Sequence, residues 1–308
     1  MSKKLRANIL LLLTALIWGS AFVAQIKGMD YLGPFTFACI RNLVGAIFLV
    51  PVIFMLDKLD KKNTPEHDIV EKTEDEKKAE RKILITGGIA CGIALFVAGS
   101  LQQVGLQYTT AGKAGFITSL YIVIVPILGL FLKKKVRPVI WGCVAVAALG
   151  LYLLCIKEGL SIGMGDFLIL LCSLGFSLHI LIIDHFSPKT DGVKMSCIQF
   201  FIVAGLSAIV MFAIEAPQFD LILKSWMPIL YSGVLSSGVA YTLQIVAQKD
   251  TDPTIASLLL SLESVFAVLA GMLVLHEVLS GREVLGCVLM FVAIIVAQLP
   301  SKEERLKA

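Results

Sequence analysis

Three ionisable residues, Arg41, His179 and Glu263, stand inside long apolar runs. An ionisable group there has few neighbours that can solvate its charge, so it needs a partner, a ligand or a proton. Arg41 could bind a substrate carboxylate, or be held by backbone carbonyls and a partner acid; both satisfy the same desolvation requirement. Glu263 could take up a proton or bind a substrate amine, or serve as a buried structural acid paired with Arg41. His179 could titrate near neutral pH, although a lone histidine is more often a hydrogen-bonded packing residue.

Polar and aromatic side chains surround these three at helical spacing. Thr14, Trp18, Ala21 and Gln25 form one stripe, and Cys172, Phe176, His179 and Ile183 form a second. Trp18 and Phe176 could stack on a solute, or simply pack between helices. Ser237, Tyr241, Gln244 and Gln248 share one helical face, and Ser100, Gln103 and Gln107 share another. Such faces do not suit a lipid environment, where unsatisfied polar groups are costly, so they are expected to look inward. Lys113 stands at the start of another run, where a cation can snorkel to an interface.

The elements that position these residues repeat. Val97-Ala98-Gly99-Ser100-Leu101-Gln102 matches Val239-Ala240-Tyr241-Thr242-Leu243-Gln244 at an offset of 142, and Ser119-Leu120 matches Ser261-Leu262. Between 97 and 130 there are 11 identities in 34 positions. Gly142-Cys143-Val144 matches Gly286-Cys287-Val288, and Leu12-Leu13 aligns with Leu170-Leu171 at an offset of 158. The register pairs Gln102 with Gln244, Trp18 with Phe176, and Tyr121 with Glu263. The expected cavity set is therefore Trp18, Gln25, Arg41, Gln102, Gln103, Tyr121, Phe176, His179, Tyr241, Gln244 and Glu263. Glu263 and His179 are the candidates for proton coupling.

Composition says what holds them. The chain has 308 residues, 57% hydrophobic and 16% charged, against roughly 25% charged for a soluble domain. That disfavours both a soluble enzyme and disorder. Asp57 to Lys82 alone carries eight basic and nine acidic residues. The rest divides into ten apolar runs, each near the roughly 20 residues a membrane helix needs: 8–28, 33–56, 83–106, 114–132, 138–156, 165–184, 194–214, 227–247, 254–275 and 283–299. The first outruns a signal-peptide core and is read as a retained span. On this frame Arg41 lies about 10 Å into its span and Glu263 about 13 Å into its own. With the N-terminus in the cytoplasm, 21 Lys and Arg fall on the cytoplasmic side and five outside, as basic residues favour.

The expected fold is thus an all-α membrane protein: ten transmembrane helices as two inverted five-helix repeats around a central cavity. The first repeat covers 1–156, with the cytoplasmic loop 57–82, and the second covers 157–308. A duplicated unit with an odd number of spans inserts upside down relative to its twin, which suits alternating access. Within the loop, Thr73-Glu74-Asp75-Glu76 has capping-box spacing, so a short helix is expected to lead into the third span.

Other chemistries find little support. His276-Glu277 lacks the second histidine of a zinc-protease motif. Seven cysteines form no Cys-x-x-Cys pair. No phosphate loop or nucleophile elbow is present, so neither cofactor nor metal is expected. The basic residues flank apolar runs, which points to a lipid bilayer as partner and away from nucleic acid. A receptor or scaffold working through loop 57–82 is the main alternative, and an intramembrane enzyme the next. Oligomeric state, direction of transport and coupling ion are left open.

The chain resembles the drug/metabolite transporter superfamily, in its EamA-type ten-span branch. The residues that carry the likeness are Trp18-Gly19-Ser20-Ala21-Phe22, Arg41, Leu106-Gln107-Tyr108-Thr109-Thr110, Ser261-Leu262-Glu263-Ser264-Val265-Phe266 and His276-Glu277. The resemblance implies a basket of ten helices that carries small metabolites across the cell membrane, such as amino-acid-like, nucleobase-like or drug-like solutes. The family often has proline after the span-nine glutamate. This chain has Ser264 there, so no proline kink is expected at that point, and Pro126 is the candidate for one in the other half.

Overall fold

A computed structural model describes residues 3–63, 73–109, 111–134, 136–155, 163–275 and 280–299. Most of these residues are helical, with no strand among them. The helices are α1 (Lys3–Met29), α2 (Pro34–Asn63), α3 (Glu74–Gly105), α4 (Ala111–Thr118), α5 (Tyr121–Phe131), α6 (Pro138–Cys155), α7 (Met164–Phe186), α8 (Gly192–Ile214), α9 (Phe219–Lys224), α10 (Trp226–Leu230), α11 (Thr242–Gln248), α12 (Pro253–Leu260), α13 (Glu263–Leu275) and α14 (Gly281–Gln298). A π-helical stretch, Tyr231–Tyr241, joins α10 to α11 without a break. Helix therefore occupies all ten predicted runs. Among the described residues, eight helical segments are long and apolar enough to cross a membrane, and Pro138–Leu154 and Pro253–Leu269 are apolar but shorter.

The expected boundaries of the charged loop shift. α2 runs on to Asn63 and α3 begins at Glu74, so helix invades both ends of 57–82. Lys, Glu and Ala are good helix formers, and the start of α3 is secured locally. Thr73 Oγ1 accepts from the Glu76 N–H at 3.3 Å while the Glu76 carboxylate accepts from the Thr73 N–H at 2.8 Å. Lys77 pairs with Glu74 at 2.9 Å. The capping box predicted at Thr73 is thus present, and residues 64–72 lie outside the described residues.

Two predicted spans are each built from two helices, and the breaks fall at matched positions. α4 gives way to α5 at Ser119-Leu120, and α12 to α13 at Ser261-Leu262. The backbone tightens there to three-residue hydrogen bonds: Leu120 N–H to Ile117 O at 3.2 Å, and Leu262 N–H to Leu259 O at 3.2 Å. Ser261 Oγ also donates to the Leu258 carbonyl at 2.8 Å, competing with the helical ladder. Proline causes neither break: α5 runs through Pro126, which follows its break by several residues.

Packing partners come in matched pairs. α3 lies on α7, and the α10–α11 segment lies on α1; α3 also meets α8, and the segment meets α2. Joining each element to its own counterpart, α2 packs on α8 and α6 on α14. α2 and α8 run antiparallel and are tied at both ends. The Glu215 carboxylate, just past α8, accepts from the Phe35 and Thr36 N–H groups at 2.9 and 2.8 Å. At the other end Lys194 pairs with Asp57 at 2.8 Å. α6 and α14 touch through glycine: a Cβ at Gly286 would come within 2.6 Å of the Gly150 carbonyl oxygen. The main apolar core runs through both halves, from Leu11 and Leu49 to Ile122, Leu151, Phe200, Leu258 and Met290.

Candidate functional site

Helix breaks and matched packing converge on one cavity. It is lined by α1, α2, α3, α4, α5, α7, the π-helical stretch, α11, α12 and α13. Five pairs of residues related by the repeat face into it: Trp18 with Phe176, Phe22 with Ile180, Gln102 with Gln244, Thr118 with Leu260, and Tyr121 with Glu263. The lining is therefore close to symmetric between the halves, although the side chains differ.

At the two breaks the halves meet. Tyr121, the first residue of α5, donates its hydroxyl to Glu263 Oε1 at 3.0 Å; Glu263 is the first residue of α13. Ser119 Oγ and Ser264 Oγ lie 3.0 Å apart beside them. α1 passes close by because Gly19 has no side chain; a Cβ there would come within 2.5 Å of the Glu263 carbonyl oxygen. Glu263 is 5% exposed.

Arg41 is 7% exposed and contributed by α2. Its Nη1 donates to Gln25 Oε1 at 3.1 Å, and its guanidinium lies 5.7 Å from the centroid of the Phe37 ring. Its Nε has no hydrogen-bond partner. Arg41 forms no ion pair among the described residues, so the pairing with Glu263 considered from the sequence is not realised. The physical reason is local: each group has a polar neighbour on another helix, Gln25 on α1 for Arg41 and Tyr121 on α5 for Glu263.

Aromatic rings fill one wall. Trp18 and Tyr241 have ring centroids 4.4 Å apart, and Trp18 Nε1 donates to the Ser236 carbonyl at 3.4 Å. His179 and Phe200 meet Tyr241 edge-on at 6.0 and 5.8 Å. His179 Nε2 is 3.1 Å from Gln199 Oε1, so the histidine is both hydrogen-bonded and cavity-lining. Gln102 Nε2 donates to Thr118 Oγ1 at 3.2 Å, and Gln244 Nε2 to Gln248 Oε1 at 2.9 Å. Gln244 Oε1 has no partner.

Ten of the eleven predicted site residues thus line the cavity. Gln103 does not: its amide nitrogen donates to Met29 Sδ at 2.9 Å. The adjacent Gln102 faces the cavity instead, since neighbouring residues on an α-helix point about 100° apart. The expected face of Ser237, Tyr241, Gln244 and Gln248 is also redrawn. A π-helix aligns residues five apart, so Ser236 and Tyr241 face the cavity together, while Ser237 Oγ donates to Asn42 Oδ1 at 3.3 Å. Gln248 is turned to the Ile180 carbonyl at 3.0 Å. Phe22 and Ile180 were not anticipated. They stand one turn beyond Trp18 and Phe176 at the same offset, so extending the repeat register by four residues finds them. His276-Glu277 and the Lys113 side chain lie outside the described residues. No cluster of three or more His, Cys, Asp or Glu that could hold a metal occurs among the described residues.

Comparison with known proteins bears on this arrangement. The family model described as EamA-like transporter family matches residues 5–156 and again 163–298. An uncharacterized transporter of Archaeoglobus fulgidus is 33% identical over 301 residues, which cover 96% of this chain and 87% of that protein. Uncharacterized transporters of Clostridium kluyveri and Bacillus subtilis, the latter YoaV, are 25% and 24% identical over 94% and 89% of this chain and 92% and 90% of their own lengths. A solved crystal structure shares the fold with a TM-score of 0.76 at 16% identity, over 98% of this chain and 99% of that one.

Proposed function

The chain belongs to the EamA-like transporter family, within the drug/metabolite transporter superfamily, and from that premise we propose that it is a secondary transporter working by alternating access. It is a multi-pass membrane protein and a transporter by family. In our reading ten helical spans form two inverted five-span halves in the cell membrane, with both termini in the cytoplasm. Small metabolites pass through the central cavity; amino-acid-like, nucleobase-like and drug-like solutes are the classes to screen.

The observation that carries the reading is the five repeat-related pairs around one cavity. A site built on the axis between two equivalent halves presents the same groups to either side when the halves exchange conformations. The antiparallel run of α2 against α8 supports the inversion, because counterparts in an inverted repeat must point opposite ways.

Glu263 is the coupling group in this reading. It is the buried carboxyl of the cavity lining among the described residues, and it accepts a hydrogen bond from Tyr121 of the other half. Taking up a proton there alters the contact between α5 and α13, and so links proton binding to the relative position of the halves. The other titratable groups around it are Tyr121, Cys172 and Tyr241, with Arg41 and His179 on the cavity wall.

Purified protein in sealed vesicles should move solute down its gradient without ATP. A screen of amino acids, nucleobases and organic cations that finds no flux for any class, with folded protein present, would remove this reading.

A further inference from the structure

The cavity lining is nearly two-fold in shape and polarity, yet its charge is not. Arg41 comes from the first half, and the residue at the matching offset of 158 is the neutral Gln199, which bonds to His179. A buried guanidinium is stable only when its donors meet acceptors and its charge meets a counter-charge. Here one donor is met by a neutral amide, the flat face lies near Phe37, Nε has no partner, and no carboxylate pairs with the group among the described residues. The missing element is an anion. Arg41 lines the cavity, so the space available to that anion is the solute site itself.

The chemistry narrows further. The planar donor fork of arginine matches a carboxylate edge-on. Among the described residues Arg41 is the sole Lys or Arg in the lining, so a singly charged anion balances it better than a multiply charged phosphate. The same lining carries the aromatic rings of Trp18, Phe22, Phe176 and Tyr241, which suit an apolar or aromatic body. We propose that the transported solute is an organic carboxylate, anchored through its carboxyl group by Arg41 with Gln25 as the positioning residue, and with its apolar body against the aromatic wall. This rests on the transporter reading of the cavity and names the substrate class for it.

The test compares matched probes on the purified full-length chain. 3-Phenylpropionate and hexanoate are each measured against the amine and the alcohol of the same body, by calorimetry and by intrinsic tryptophan fluorescence. Hydrogen bonds to charged groups contribute enough for about a tenfold preference, so each anion should bind about tenfold or more tightly than its amine or alcohol. Arg41→Gln should abolish that preference, and Arg41→Lys should weaken anion binding while keeping the order. Anions that bind no better than the alcohols, or do not bind at millimolar concentration, overturn the proposal without any variant. So does a folded Arg41→Gln protein, judged by its melting transition, that keeps the preference. Anion binding without counterflow of the same anion in vesicles would instead sink the transporter reading and leave the carboxylate site standing.

Discussion

At the scale of single residues, two buried groups of opposite kind share one cavity without touching: Arg41 bonded to Gln25 and Glu263 bonded to Tyr121. Each has a distinct expected phenotype. Glu263→Gln keeps the shape and can still accept from Tyr121, so the protein should fold with a near-native melting temperature while its flux loses its pH dependence. A Glu263→Gln protein whose pH–rate profile matches the parent would exclude Glu263 as the coupling group. Tyr121→Phe removes the Tyr121 hydrogen bond to that carboxylate. The loss should shift the midpoint of the same profile, and an unchanged midpoint would show that the bond is absent in the working protein. Much of this was legible from type and place: an Arg and a Glu deep in apolar runs announce themselves. What the sequence did not convey was which neighbour each would choose. That depends on a single helical turn, and it is why Arg41 and Glu263 looked like possible partners and Gln103 looked like a lining residue.

Among the helices, what positions the site are interruptions. Ser119-Leu120 and Ser261-Leu262 were visible as repeat matches but not as breaks, because neither contains Gly or Pro and the usual punctuation is missing. The π-helical stretch Tyr231–Tyr241 carries Gly233 and Gly238, but isolated glycines in an apolar run do not announce a π-helix, and the stretch exchanged Ser236 for Ser237 at the cavity wall. Close helix contacts were likewise hidden in plain glycines. Gly286→Leu would drive a side chain into the Gly150 carbonyl, and overpacking of this kind typically costs about 1–3 kcal/mol. A lowered melting temperature with unchanged solute preference is expected. Gly19→Ala should behave differently, because the clash falls on the Glu263 carbonyl. Flux should fall along with stability, and a Gly19→Ala protein with full flux would show that this approach does not matter to the site.

For the molecule as a whole, the low and uneven charge read from composition, together with the repeat read from offsets, already specified an all-helical chain in two related halves. The helices formed where the apolar runs lie, and packing follows the repeat. The orientation of the halves and their exchange between two states are claims about the working protein, and they meet at Gln102 and Gln244. These two lining residues are repeat counterparts, and in the proposed topology Gln102 lies toward the outside and Gln244 toward the cytoplasm. The most direct measurement places a single cysteine at each, Gln102→Cys or Gln244→Cys, in a background freed of native cysteines. Membrane-impermeant thiol reagents are then applied from either face of oriented vesicles. Alternating access predicts that Gln102→Cys reacts from the outer face and Gln244→Cys from the inner face, and that a bulky adduct at one protects the other when both are present. Reaction of both cysteines from the same face at the same time would mean a continuous pore or a reversed half, and would contradict the account.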